Sequence, residues 1–276
     1  RTVKQLVILI LLVFLISFSL SASGNREDAA VRQYSYEGVD TLVIQDASIF
    51  EVEIRGQTSK ELNVNFVAPA KTSFSLEQDH RGSGLFLTIR NKRISLPEFG
   101  DHKLVLSVPE QIDIEVESST GSILIDGCNG SKSIQTTTGV ITVRKGRGDV
   151  RSKSTTGGQE FREIVGAIDG EATTGSFRIE ECEGSYNLRT TTGEQTGRKI
   201  LLTGDSTFRA STGSIRMDLL NPLSELAFRL ESTIGKIELG STSASGELFI
   251  GSGDIEVTAK TTTGSQSWEP LSTGDR

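Results

Sequence analysis

The chain has 276 residues, 35% of them apolar and 24% charged, with a formal net charge of −7 at pH 7. That length buries a sizeable core, and the acidic balance excludes the broad basic footprint that general nucleic-acid binding needs. The 29 glycines recur at regular intervals along much of the chain, so they point to turns rather than to disorder.

Residues 1–24 read as a secretory signal or a signal anchor. Arg1 and Lys4 precede an unbroken apolar run from Leu6 to Ile16, and Ser17 to Gly24 are mostly small. Cleavage after Ser21 or Ser23 fits this pattern. The rival is retention as an anchor, because the run extended to Ala22 approaches the lower length limit for a membrane span. Residues 25–33 are polar and read as a linker. Residues 34–118 alternate apolar and polar residues, as in Leu42/Ile44, Val52/Ile54, Leu85/Leu87 and Leu104/Leu106. Such alternation predicts short strands with one buried face. This region is either a separate small sandwich or the irregular first part of a repeat array that begins near residue 119. The need of an open repeat array for a cap favours the second reading.

From residue 119 to 264 the chain is a repeat. Glycine stands at every ninth position from Gly121 to Gly193, and Gly121, Gly139, Gly157, Gly175 and Gly193 each follow a pair of small hydroxyl residues. Apolar residues sit two and four places after the glycines, as in Ile123/Ile125, Ile141/Val143 and Phe177/Ile179. A fixed period with turn residues at fixed phase marks a stacked architecture, in which no single repeat can bury its own apolar edge. The predicted fold is all-β: a two-sided parallel β-solenoid, or β-helix, of about 18 residues per coil, with the irregular N-terminal β region as its cap. The later markers fall at Gly213, Gly235 and Gly253, and the longer intervals are expected to be absorbed in corner loops, with Asn221-Pro222 a natural place for one. Residues 265–276, with the sole tryptophan Trp268, read as a frayed or capping tail.

Several residues break the inward pattern: Lys132, Ser152, Gln159, Gly170, Gln195 and Gly197. Lys132 is expected at a twisted corner with its ammonium in water. Cys128 and Cys182 lie in one column three coils apart, about 14 Å at the spacing of sheet strands. That is too far for a disulfide, so both are expected to be small buried hydrophobes.

Little in the sequence has the spacing of catalysis. His80 and His102 stand in loop-like surroundings without metal-ligand neighbours and read as surface polar residues. No phosphate loop, nucleophile elbow or zinc helix occurs, so no catalytic residue, metal or cofactor is expected. The outward columns alternate in sign, with Arg151 above Asp169 and Lys153, Glu171 and Arg189 in succession. This is the pattern of ladder complementarity and solubility. One local exception is basic: Arg144, Lys145, Arg147, Arg151 and Lys153 lie within one coil with Asp149 the only acid among them. The patch is a candidate for an envelope glycan, another anionic polymer or a lipid head group, against the alternative of a solvated face.

The strand Leu104–Val108 followed by Pro109, the run Ile112–Glu117, Ser119-Thr120-Gly121 and the Thr-Thr-Gly corners after it resemble a widespread bacterial family of unknown biochemical function, described as putative adhesins. The resemblance covers roughly residues 40–264. It implies a β-solenoid domain in exported or membrane-attached envelope proteins, with no catalytic residue to carry over. The expectation is a non-enzymatic binder in the periplasm or at the cell surface. Its partner would be an envelope glycan, an anionic polymer or another surface protein, not nucleic acid, and it would touch the membrane only through an uncleaved N-terminus. The alternatives are a self-assembling scaffold and, third, a carbohydrate-active β-helix enzyme.

Overall fold

The computed structural model describes residues 29–69, 72–92 and 101–271. The signal-like segment lies outside the described residues, and among these no helix is long and apolar enough to cross a membrane. The described chain is almost wholly β-strand, interrupted by one short 3-10 turn at Leu223–Glu225.

The strands pair into two ladders. In the repeat region the pairing is parallel, and each residue faces its counterpart in the next repeat. Ile141 pairs with Ile123 on one side and Gln159 on the other, and Val150 pairs with Lys132 and Ile168. Alternate side chains point inward, so Ile123, Ile125, Ile141, Val143, Phe161, Phe177 and Ile179 are all buried. The corners carry the glycines for a steric reason that Gly157 shows well. Its φ is +135°, and a Cβ there would lie 2.7 Å from the carbonyl carbon of Gly139 and closer still to its oxygen. Only a residue without a side chain lets one corner sit this close on the next. The amide of Gly157 in turn donates to the Thr174 carbonyl at 2.9 Å.

The described strands of residues 34–118 are built into the same ladders. Thr41–Asp46 lies between Gly84–Asn91 and Asp113–Thr120, and Glu51–Gln57 lies between Lys103–Pro109 and Ile123–Asp126. A turn of chain early in the sequence is thus inserted between two later ones. The outer edge of this end is covered by antiparallel strands: Phe74–Arg81 on Gly84–Asn91, and Glu61–Pro69 with Ala29–Glu37 beyond Lys103–Pro109. His80 is in the strand Phe74–Arg81, edge-on to Tyr36. His102 packs edge-on against Phe50 and Phe74 at 5.1 and 5.4 Å. The expectation of loop-borne surface histidines therefore holds in part: His80 is exposed but lies in a strand, and His102 lies outside the strands but is half-buried against two aromatic rings.

The far end repeats the insertion. Ile255–Thr263 lies between Ser206–Thr212 and Leu226–Leu239, and Gln266–Leu271 lies between Ile215–Pro222 and the same Leu226–Leu239. The long strand bends from one ladder to the other and is capped along both by Thr242–Ile250, antiparallel. This corrects two expectations. The corner column runs from Gly213 to Gly264 and then to Gly235, so Gly253 is not its next member. A Cβ on Gly253 would instead meet the chain at Glu225 and Leu226. The extra residues form the inserted coil and the capping hairpin rather than corner loops alone. The described part of the segment read as a tail, through Leu271, is likewise a rung of the ladder: Trp268 is 0% exposed and packs edge-on against Phe208 and Phe228.

The inward polar residues have partners. Gln159 accepts from the Ser152 hydroxyl at 2.6 Å and donates to Ser154 Oγ at 2.9 Å and to the Glu171 carbonyl at 2.7 Å. Gln195 and Gln266 make the same reach from the second ladder to the first, donating to the Arg209 and Glu231 carbonyls. The core is thin enough for one glutamine side chain to cross it. Gly170 and Gly197 leave room for Phe177 and Met217. Lys132 is 2% exposed, not in water as expected. Its ammonium donates to the carbonyls of Gly130 and Arg147 at 2.8 and 3.0 Å, and burial holds its pKa below the usual lysine value. Cys128 and Cys182 are free and buried, and burial pushes their thiols up to about 12 and about 11.

Candidate binding face

The outward side chains form columns that run across the rungs. Backbone amides at the corners are held by short acceptors one rung away. Asp113 Oδ1 accepts from the Ser131 amide at 2.7 Å, Asp149 Oδ1 from Ala167 at 2.9 Å and Asp205 Oδ1 from Glu256 at 2.8 Å. The Ser131 amide and hydroxyl hold the Asp113 carboxyl below the usual carboxylate range. These corner carboxylates satisfy backbone donors at the rung ends.

The five residues of the basic patch do not meet on one face. Arg144, Lys145 and Arg147 belong to Ile141–Arg147 in the second ladder, whereas Arg151 and Lys153 belong to Val150–Thr156 in the first. Three of them face an acid on the adjoining rung: Arg144 pairs with Asp126 at 3.0 Å, Arg151 with Asp169 at 3.6 Å and Lys153 with Glu171 at 3.3 Å. Lys145 turns the corner with φ +55°. The same cross-rung pairing joins Arg162 to Glu180, Lys199 to Glu181 and Arg216 to Glu194. Exposed pairs of this kind contribute roughly 0–1 kcal/mol each.

One stretch of the first ladder departs from that alternation. Arg189 is in register with Arg209, and Arg209 with Lys260, so three cations stand on consecutive rungs, all exposed. The acid below them, Glu171, is engaged by Lys153, and the acid above, Glu231, by Lys260 at 2.8 Å. That ammonium holds the Glu231 carboxyl below its usual range. Among the described residues neither Arg189 nor Arg209 has an ion-pair partner. The outward residues immediately flanking them are uncharged hydroxyls and an amide: Asn187 and Thr191, Thr207 and Ser211, Thr258 and Thr262, with Glu256 beyond Thr258 accepting from its hydroxyl. On the corner side the surface sinks into a cleft of about 570 Å³ whose lining includes Asp149, Arg151, Asp169, Asn187 and Thr207.

This column was hidden in the sequence because Lys260 is 51 residues from its neighbour Arg209, and only the inserted coil brings them together. Arg189 and Arg209 were visible as equivalent positions before Gly193 and Gly213, and comparing them in register was the signal that could have found the pair. Among the described residues no group of three His, Cys, Asp or Glu side chains is arranged to hold a metal ion.

The family model for Toastrack DUF4097 matches residues 39–272. The chain belongs to the Toastrack DUF4097 family. That match extends through Trp268, in keeping with a buried last rung rather than a tail. Solved structures similar to this Toastrack chain include a putative adhesin from Parabacteroides distasonis, 12% identical, covering 87% of this chain and 97% of that one with a TM-score of 0.49. Another is a putative adhesin from Bacteroides fragilis, 14% identical, covering 89% and 98% with a TM-score of 0.44. A putative cell adhesion protein from Clostridium sporogenes is 10% identical, covering 88% and 100% with a TM-score of 0.28. No curated protein matches the Toastrack chain.

Proposed function

We propose that the chain is an exported, non-enzymatic cell-envelope protein, adhesin-like in its action, that uses a two-sided parallel solenoid of about 18 residues per coil as a rigid frame for binding. The observation that carries this reading is the outer face of the first ladder. Side chains from Glu115 to Arg229 stand there in straight columns, in register from rung to rung. The acids at its corners are held by backbone amides, and Arg151, Lys153 and Lys260 are paired with acids on adjoining rungs, which leaves a polar surface suited to contact. Such a frame orders its side chains before binding and so lowers the entropy cost of association. The signal-like residues 1–24 support export to the periplasm or the cell surface. Envelope glycan, another anionic polymer or a second surface protein fits as the partner.

A test starts with location. Residues 1–30 fused to a reporter are expected to carry it out of the cytoplasm, and the full chain is expected to be open to protease added outside the cytoplasmic membrane. A reporter that stays inside, with the chain protected, contradicts the proposal. A self-assembling scaffold is the second reading. It is favoured by the edge strand Thr242–Ile250, which carries one charged residue, Glu247, and the 56% exposed Phe249. A particle size that rises with protein concentration would favour that reading.

A further inference from the structure

From the stacked cations of the first ladder we infer that Arg189, Arg209 and Lys260 form a binding track for an acidic polysaccharide, one whose sugars carry carboxylates. The inference rests on the proposed envelope-binding role and gives it a site. Like charges directly opposite in a sheet repel, and Arg151 and Lys153 lower on the same face each stand beside an acid on the adjoining rung. The chain nevertheless keeps two guanidinium groups in register without an acid between them. A cost of that kind at an exposed position is what a ligand site leaves behind when its ligand is absent.

The dimensions suit a linear chain of sugars. Adjacent rungs are about 4.8 Å apart, a step comparable to one sugar residue, so successive carboxylates can meet successive cations. Each guanidinium offers a planar fork that takes a carboxylate with two parallel hydrogen bonds. The columns on either side add hydroxyls at Thr191, Ser211, Thr262 and Thr207, which can donate to and accept from sugar hydroxyls, and the Asn187 amide, one of whose donors is held by Asp169. The track is held rigid from beneath. Gln195 donates to the Arg209 carbonyl at 2.7 Å, and Phe208, next to Arg209, packs against Trp268 at 5.3 Å.

Other polyanions fit less well. The outward positions of these three rungs carry no aromatic residue for a base to stack on. They carry no large apolar side chain to enter a lipid surface. The net charge of −7 works against long polyphosphates away from this one column.

The full-length chain in detergent, titrated calorimetrically with polygalacturonate, is expected to bind it, to bind more weakly as salt rises, and not to bind the fully methyl-esterified polymer. Arg189→Gln with Arg209→Gln is expected to weaken binding at least tenfold, whereas Lys153→Gln, two rungs from Arg189 in the same column, leaves it within twofold. The double variant is also expected to melt no lower than the parent, since it removes a repulsion. Unchanged affinity in the double variant overturns the inference, and so does equal affinity for the esterified polymer, for duplex DNA or for vesicles of anionic lipid. A parent that binds no polyuronate overturns it as well. Sedimentation with isolated envelopes separates this failure from that of the wider reading: if parent and double variant are retained alike, the envelope role stands and the track is wrong, and if neither is retained, both are wrong.

Discussion

Gly157→Ala tests the corner architecture at its tightest point. At φ +135° a residue with a side chain costs roughly 1–3 kcal/mol. The added methyl would also sit 2.7 Å from the Gly139 carbonyl carbon and 3.3 Å from its amide nitrogen. Comfortable carbon contacts need about 3.5–4.0 Å, and forcing the overlap apart costs about 1–3 kcal/mol more. The corners cannot simply separate, because Gly139 donates to Thr156 at 3.0 Å and Gly157 to Thr174 at 2.9 Å across the same stack. A loss of about 3 kcal/mol is expected, and at roughly 2–4 °C per kcal/mol for a chain of this size the melting temperature should fall by about 6–12 °C. The control is the next residue. Gly158 has no positive φ in the left-handed range, and a Cβ there meets its nearest neighbour, the Ser176 carbonyl oxygen, at 3.6 Å. Gly158→Ala should therefore be neutral or stabilise by up to about 1 kcal/mol. Thermal melts followed by far-ultraviolet circular dichroism decide the matter. If the two variants melt together, or if Gly157→Ala melts with the parent, the reasoning about stacked corners is wrong.

Three further outcomes concern the core. Gln159→Leu keeps the volume but leaves the Ser152 and Ser154 hydroxyls short of a partner in a dry interior, so a loss of about 2–4 kcal/mol is expected in urea unfolding, and a loss under 1 kcal/mol would count against the glutamine cross-ties. Lys132 has a folded pKa below the ordinary lysine value of 10.5, so between the two the unfolded chain binds more protons and stability rises with pH. Lys132→Met should accordingly gain about 1 kcal/mol at pH 7, a gain that shrinks as pH approaches 10.5, and a variant that loses more than 2 kcal/mol at neutral pH would show that the two carbonyl contacts outweigh desolvation. Trp268, the only tryptophan, should be shielded from acrylamide in the native protein, and Trp268→Ala should cost about 3–5 kcal/mol; ready quenching in the native state would return it to the role of a tail.

The repeat itself was legible because its cause is local. A corner that approaches its neighbour as closely as Gly157 approaches Gly139 admits no side chain, so glycine had to recur, and the apolar pairs Ile123/Ile125 and Ile141/Val143 had to follow it at period two. What local pattern cannot encode is which turn of chain stacks on which. Gly235 follows Gly213 in sequence, yet Gly264 separates them in space, and nothing in the phase of the glycines reports that insertion. The same blindness hid the last rung: Ser265, Gln266 and Ser267 look like a polar tail, but Gln266 is fully buried because its amide crosses the core to Glu231. Gln159 and Gln195 looked like defects for the same reason, since inward polarity is recognisable as sound only when the partner carbonyl is known. At the surface, the opposite-charge pairs Arg151–Asp169 and Lys153–Glu171 could be read from the repeat, whereas the Arg209–Lys260 neighbourhood required the insertion.

The envelope-binding role is tested most directly by sedimentation of the purified full-length chain with isolated cell envelopes over a range of protein concentrations. Retention is expected to saturate and to be competed away by excess unlabelled protein. Recovery of the whole chain in the supernatant at every concentration, or retention that rises linearly without saturating, would contradict that role.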